Sequence, residues 1–379
     1  MINQIFYIFV KNDINFMKYC FLVDNNIPQL PEILEQIGEV YRFEGRTLTN
    51  EMVKQSKANI LLVRSTTQVN QKLLNDTEIM IVGTATSGSE HLDKEYLSSQ
   101  GIQYFDAIGS NALSVAEYCI FCILNWAAEI NVDLKSKVLG IIGYGNVGKR
   151  LAAIAKHIGL KVVVNDPPLL ESNPEKLGNE THLELNEIIK VADILTNHVP
   201  LTFSGKHKTH NLIDYDLLGN VKEGTLLLHT SRGGVVNEDS WVEMANNGQI
   251  KVVADVWENE PYASSKSVSA AIVATPHIAG HSYDAKLRGS LMLAKSLEKI
   301  LKVKLDPSQL EIEINSNKKQ VFELSKQEIY ELLKNKRILE TSREFKKFAS
   351  DEAIASNFEK MRKEYPKIRE CFYDFAFIL

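Results

Sequence analysis

The apolar run Val138 to Ile142 leads straight into Gly143-Tyr-Gly145-Asn146-Val147-Gly148, and a stretch with helical apolar spacing follows at Leu151, Ile154, Ala155 and Ile158. Glycines placed between a strand and a helix permit a tight turn and close approach of the backbone to a pyrophosphate. The helix start then offers free N–H groups and positive partial charge to the phosphates. Asp166 closes the next strand-like run, KVVVND. A carboxylate there accepts hydrogen bonds from ribose hydroxyls and repels a 2′-phosphate. No arginine follows it in Asp166-Pro167-Pro168, so NAD rather than NADP is the expected cofactor, held by Gly143, Gly145, Asn146, Val147, Gly148 and Asp166.

Three further side chains follow later strand-like runs: Arg232 after LLLHTS, Glu260 after VVADVWEN and His277 after IVATP. A doubly wound sheet places its ligand crevice at such strand ends. Exchange of a hydride between an alcohol carbon and a nicotinamide needs a group to carry the hydroxyl proton, a partner to orient that group, and a cation for a substrate carboxylate. Histidine titrates near neutrality and suits the first task. An ionised glutamate beside it favours the imidazolium and fixes the ring. The guanidinium grips a carboxylate through two parallel hydrogen bonds. Singly, each has a bland reading as a solvated arginine, a turn glutamate before proline, or a merely hydrogen-bonded histidine. Together on one dinucleotide scaffold they indicate a catalytic set.

Composition bounds the rest. The 379 residues are 44% hydrophobic and 24% charged, as in a globular chain of two or three domains. A formal charge of -5 supplies no global positive field, so no nucleic-acid partner is expected. The four cysteines are too scattered for a disulfide framework, which places the chain in a reducing, cytoplasmic compartment. Cys119 and Cys122 have redox-motif spacing but lie in the apolar run YCIFCILNWAA, where core packing is expected. The longest apolar run, Tyr118 to Ala128, is interrupted by Asn125, so no membrane span is expected. His277 and His281 with nearby carboxylates lack a third spaced ligand, and no metal is expected.

These side chains need an α/β scaffold to position them. YCFLVD, NILLVRS, IMIVGTA and GIQYFDA alternate with helix-like segments at Pro31 to Ile37 and Lys94 to Gln100. A long helix, buried or bridging two domains, is expected from Ser114 to Glu129, led by Asn111 and carrying the cap-like Ser114-Val-Ala-Glu117. Six more strands (VLGIIG, KVVVND, ADILTNH, GTLLLHT, IKVVADVW, AIVATPH) make the second alternation. The fold class is therefore α/β, with two doubly wound Rossmann-like domains for substrate and NAD and a small α+β C-terminal domain. Residues 1–16 read as a dispensable leader before an alternative start at Met17. The substrate-binding domain is expected over 17–110, completed by a returning helix at about 282–303. The NAD-binding domain is expected over 111–281 and the C-terminal domain over 304–379. In the last, helices are expected at Lys326 to Arg337, after the Ser325-x-x-Glu328 box, and at Asp351 to Tyr365, and the apolar CFYDFAFIL is expected as a buried strand or a subunit contact.

Gly143 to Gly148, Thr230-Ser-Arg232-Gly-Gly-Val-Val-Asn237, Asp255-Val-Trp-Glu-Asn-Glu260-Pro261 and Thr275-Pro-His277-Ile-Ala-Gly280 resemble the signature blocks of the D-isomer-specific 2-hydroxyacid dehydrogenases, over roughly Met17 to Val303. The resemblance implies catalytic roles for Arg232, Glu260 and His277. It implies substrate contacts at Ser65 and Thr86, and NAD contacts at Asp166, Val199, Asp255 and Gly280. VDNNIP, LLVRSTTQVN, Val82 to Gly88 and Asp166-Pro-Pro are similar to one branch of that family. The branch implies a phosphorylated 2-hydroxy acid oxidised at C2 and a homodimer joined through the C-terminal domain. His281 stands where that branch has a substrate-contacting tyrosine, and imidazole can still donate to an anion. Arg64 and Arg46 are the candidate cations for the phosphate. Closure of the first domain, hinged near Asn111 and Gly280 to Ser282, is expected to exclude water. Other readings are a dehydrogenase acting on 3-phosphoglycerate and a non-catalytic NAD-sensing corepressor.

Overall fold

The computed structural model describes residues 19–349 and 354–377. The expected leader over 1–16, Met17 and the first residues of the helix expected from Asp351 lie outside the described residues. The chain divides into two compact units. The first takes the residues as far as Ile108 together with Gly289–Glu311, and the second takes Gly109–Arg288 with the residues from Ile312 onward.

In the first unit a parallel sheet is built from β1 (Tyr19–Asp24), β2 (Gly38–Phe43), β3 (Ile60–Val63), β4 (Ile81–Thr84) and β5 (Gln103–Asp106), in the order β2-β1-β3-β4-β5. β3 and β4 are buried at every residue, as their unbroken apolar runs require of strands covered on both faces. β2 is absent from the sequence expectation. It is an edge strand with exposed Glu39, Tyr41 and Arg42, so its apolar signal is weak.

The second unit carries a seven-stranded parallel sheet in the order β12-β11-β10-β9-β6-β7-β8. Its strands are β6 (Val138–Ile142), β7 (Lys161–Asn165), β8 (Thr181–His182), β9 (Ile194–Asn197), β10 (Thr225–His229), β11 (Ile250–Ala254) and β12 (Val273–Ala274). The order reverses direction at β6, a switch point that opens a crevice at the carboxyl ends of β6 and β9. Six helices matter for the site: α1 (Ala112–Glu129), α2 (Asn146–His157), α3 (Tyr283–Leu301), α4 (Lys326–Leu333), α5 (Ile338–Lys347) and α6 (Ile354–Lys363). α5 is also absent from the sequence expectation. Ser325 and Glu328 form the expected capping box at the start of α4.

α1 passes the length and apolarity test for crossing a bilayer, contrary to the expectation from its interrupted run. It lies 89% buried inside the protein, and every residue from Ala112 to Ala127 is buried, so it is a core helix. Cys119 and Cys122 are buried free thiols within it, and burial pushes the Cys119 thiol up to about 12, beyond easy ionisation.

Two sequence expectations need correction here. Ser114-x-x-Glu117 is no cap, because the helix starts at Ala112 and the Glu117 side chain is fully buried. One Glu117 oxygen accepts from Cys371 N and Phe372 N at 2.8 and 2.9 Å, and the other meets Lys336 Nζ at 2.6 Å. The boundary expected at 304 also differs, since the division falls after Glu311 and the residues from Ile312 onward group with the second unit. Ile329, Leu333, Ile338 and Phe372 join the core around α1, while Phe345 and Phe358 join the core around Trp241 and Trp257. Each such side chain contributes about 1.5–3 kcal/mol when withdrawn from water. Of the apolar end, residues 371–377 are described: Phe372 is fully buried and forms a bridge with Lys319, while Tyr373 is exposed.

Buried ion pairs accompany this packing. Arg288 pairs with Glu370 and donates to Ser110 O at 2.8 Å. Arg150 holds Asp374 through two bonds of 2.7 and 3.1 Å and donates to Asn146 O at 2.9 Å. Breaking one side of such a pair costs about 3–5 kcal/mol, while removing both sides is far cheaper. Lys336→Met is therefore expected to destabilise the protein by about that amount in chemical denaturation. The double variant Glu117→Gln with Lys336→Met should recover most of the loss, and equal destabilisation of single and double variants would contradict the pairing.

Candidate active site

The turn after β6 has the shape expected of a dinucleotide cradle. Gly143 sits at φ 92°, and a Cβ there would lie 2.9 Å from His198 O and from Val199 Cγ1. A Cβ at Gly148 would lie 2.3 Å from Gly143 O, so helix and strand meet only through glycine. At Gly145 a Cβ would meet open space, and Gly145 and Asn146 are exposed at the start of α2. Ligand phosphates can therefore reach the N–H groups of Asn146, Val147 and Gly148. Half-buried Asp166 accepts from Tyr144 N at 2.7 Å and from Leu169 N at 3.0 Å, which fixes its carboxylate beside the glycine turn. Val199 lines that turn, and Gly280 abuts Asn111, whose Nδ2 would lie 2.4 Å from a Cβ. These residues fit NAD by shape and by donor and acceptor type.

Glu260 and His277 are brought together. His277 Nδ1 and Glu260 Oε2 are 2.7 Å apart, and the other carboxylate oxygen accepts from Trp257 N at 3.1 Å. Burial raises the Glu260 carboxyl, but the His277 imidazole, the Trp257 N–H and the charge of Arg362 outweigh it, so the net direction is down. Glu260 stays ionised and orients the ring. His277 has φ 54°, a left-handed conformation that is uncommon outside glycine and found at constrained sites.

Asp255 imposes that conformation. It is 1% exposed, and its oxygens accept from Thr275 Oγ1 at 2.6 Å, Ile278 N at 2.7 Å and Ala279 N at 2.9 Å. The residue expected to touch NAD thus directs its carboxylate at the loop on either side of His277. Burial drives its pKa up to about 6 against the opposing effect of His277 and these donors.

Arg232 leaves β10 half-buried, with Nη1 donating to Ser231 O at 2.9 Å. Its neighbour Gly233 is pressed on the Trp257 loop, where a Cβ would lie 1.9 Å from Trp257 O. Arg232, Glu260 and His277 therefore share the carboxyl edge of β10, β11 and β12. Beneath Arg232 lies a polar layer that sequence reasoning missed. Ser231 donates to Asn197, Asn197 Nδ2 is 3.3 Å from His229 Nδ1, and burial lowers His229 to about 4. The strand-end rule that selected Arg232 could have found Asn197 and Ser231. The His281 ring lies 6.4 Å from the Tyr365 ring.

In the first unit, Arg46, Arg64, Ser65 and Thr86 all lie just past the carboxyl ends of β2, β3 and β4, with Ser65 and Arg46 exposed. Thr67 Oγ1 donates to Gly45 O at 2.7 Å, which ties the Arg46 loop to the Ser65 loop. Thr86 donates to Gly88 O at 2.9 Å and shares a hydrogen bond with Thr84, which is 2.9 Å from His91 Nε2. Burial lowers His91 to about 4, so its ring is neutral at pH 7. Asp24, at the end of β1, is fully buried with Oδ2 unpartnered among the described residues, and no sequence signal marked it.

Residues 124–279 match the family described as D-isomer specific 2-hydroxyacid dehydrogenase, NAD binding domain. The fold is shared with D-lactate dehydrogenase from Aquifex aeolicus, solved with NAD and lactic acid (TM-score 0.59, 23% identity, 74% of this chain and 95% of that one). It is shared also with NAD-bound 3-phosphoglycerate dehydrogenase from Entamoeba histolytica (TM-score 0.63, 23% identity, 75% and 96%). Fold and cofactor turn thus define an NAD-dependent 2-hydroxyacid dehydrogenase. The erythronate-4-phosphate dehydrogenase of Shewanella sediminis is 36% identical over 92% of both chains. That of Salinibacter ruber is 41% identical over 73% of this chain and 70% of its own. The chain belongs to the erythronate-4-phosphate dehydrogenase family.

Asp255→Asn replaces one acceptor oxygen by an amide nitrogen that cannot accept, leaving a loop donor unpaired. A loss of about 1–3 kcal/mol in stability is expected, with at least about a tenfold loss of turnover from misplacement of His277. The folded protein binds the Asp255 proton more tightly than the unfolded chain. Its contribution to stability is therefore full below about pH 4 and is lost as pH rises through about 6. Denaturation of the variant at several pH values should show that slope removed.

Proposed function

We propose that this chain oxidises 4-phospho-D-erythronate at C2, giving 2-oxo-3-hydroxy-4-phosphobutanoate, in the biosynthesis of pyridoxal 5′-phosphate. The relatives' names supply the substrate. The observation that carries the chemistry is the 2.7 Å bond between His277 Nδ1 and Glu260. It commits one ring nitrogen to the glutamate and leaves Nε2 to take the C2 hydroxyl proton. Bound NAD supplies the hydride acceptor. Arg232 grips the substrate carboxylate and polarises the developing carbonyl. Gly143, Gly145, Asn146, Val147, Gly148, Asp166, Val199 and Gly280 hold the cofactor, and Asp255 acts through the His277 loop.

Ser65 and Thr86 take substrate oxygens, with Arg64, Arg46 and His281 as further donors to the anionic groups. Their common position at strand ends supports this reading. The protein acts in the cytoplasm as a homodimer, the first in keeping with its scattered, unpaired cysteines.

Purified protein supplied with NAD is expected to form NADH with 4-phospho-D-erythronate much faster than with 3-phosphoglycerate. The reverse order would reassign the substrate, and no turnover on any 2-hydroxy acid would favour an NAD-sensing corepressor. His277→Ala and Arg232→Ala should each lower turnover by at least about a hundredfold. NAD affinity, measured by calorimetry, should stay within about threefold, because neither side chain is assigned to the cofactor. Near-normal turnover in either variant would overturn the assignment.

A further inference from the structure

β12 is two residues long, pairs with β11 on one side, and runs directly into Thr275, Pro276 and His277. Its other side would present unpaired backbone groups, as a sheet edge does. α5 supplies partners for them from side chains. Buried Ser342 Oγ accepts from Ala274 N at 3.0 Å, and Lys346 Nζ donates to Ala271 O and, at 3.3 Å, to Ile272 O. The same helix presses Phe345, fully buried, between Trp257 and Phe358, at ring separations of 5.9 and 5.8 Å.

Trp257 is the node between the two catalytic side chains. Its backbone N–H holds Glu260 at 3.1 Å, and its indole Nε1 donates to Thr275 O at 3.1 Å. α6 then places Arg362 over the Phe358 ring at 5.8 Å, with its buried Nε unpartnered among the described residues.

We propose that the C-terminal segment is part of the catalytic apparatus: Ser342 and Phe345 are positioning residues for His277 and Glu260. The segment was expected only to join subunits, and this role is separate from pairing because every contact that carries it lies within one chain. It rests on the assignment of Glu260 and His277 made above. The charged and titratable groups acting on Glu260 are His277 at 2.7 Å and Arg362, while Glu260 in turn acts on His229 and Asp255 on His277. Loosening the His277 contact therefore moves the Glu260 titration upward.

The test reads Glu260 directly, without substrate, by NMR of the protein carrying 13C-labelled glutamate, with the signal assigned through Glu260→Gln. Ser342→Ala and Phe345→Leu are each expected to raise the Glu260 titration midpoint by at least about 0.5 pH unit, whereas Ser342→Thr, which keeps the acceptor, restores the wild-type value. Turnover of 4-phospho-D-erythronate, measured well below the unfolding temperature, should fall at least about fivefold in Ser342→Ala with KM for NAD unchanged. Light scattering should give the same subunit count for these variants and wild type. Variants that melt earlier yet keep the wild-type Glu260 midpoint and turnover would show a merely structural segment and overturn the proposal. Wild-type protein without turnover would sink the functional reading instead, and the Glu260 midpoints would still decide this one.

Discussion

A carboxylate with both oxygens withdrawn from water must find donors, and Asp255 finds them in Thr275, Ile278 and Ala279. Chain geometry lets one side chain reach those positions only if the backbone turns sharply between them, and His277 sits at that turn with φ 54°. The His277 ring is thus aimed by a buried carboxylate on a neighbouring strand end. The arrangement tolerates an Asp255 pKa raised to about 6, because the same buried charge that is costly to maintain makes the loop rigid.

Much of the second unit could be read from the sequence because its signals are local. Gly143, Gly145 and Gly148 stand where a strand hands over to a helix, and buried parallel strands such as β9 and β10 are unbroken apolar runs. Arg232, Glu260 and His277 could be picked out because strand ends in such a sheet collect ligands. β2 and β8 escaped notice since an edge strand with one wet side or only two residues carries little apolar pattern.

What the sequence concealed is long-range and polar. Glu117 resembled a helix cap because Ser114 precedes it by three residues, yet its partners are Lys336, Cys371 and Phe372. Ser342 looks like any helix serine, and only the fold brings it to Ala274. Nothing local to Phe345 announces that it will rest against Trp257. A third domain was expected from the change to a lysine- and glutamate-rich texture. That texture marks solvated helix faces, while the buried sides of the same helices close the core around α1 and Trp257.

The ion pairs of the second unit join residues made far apart in time during synthesis. Arg150 waits for Asp374, 224 positions later, and Glu117 waits for Phe372, 255 positions later. A ribosome that has finished β12 has made every strand of the cofactor sheet but neither Asp374, the partner of Arg150, nor Lys336, the partner of Glu117. Until those partners emerge, Arg150 and Glu117 are uncompensated and the apolar helix α1 is open, surfaces suited to a holdase. The cofactor sheet thus depends for its charge balance on residues made well after its last strand.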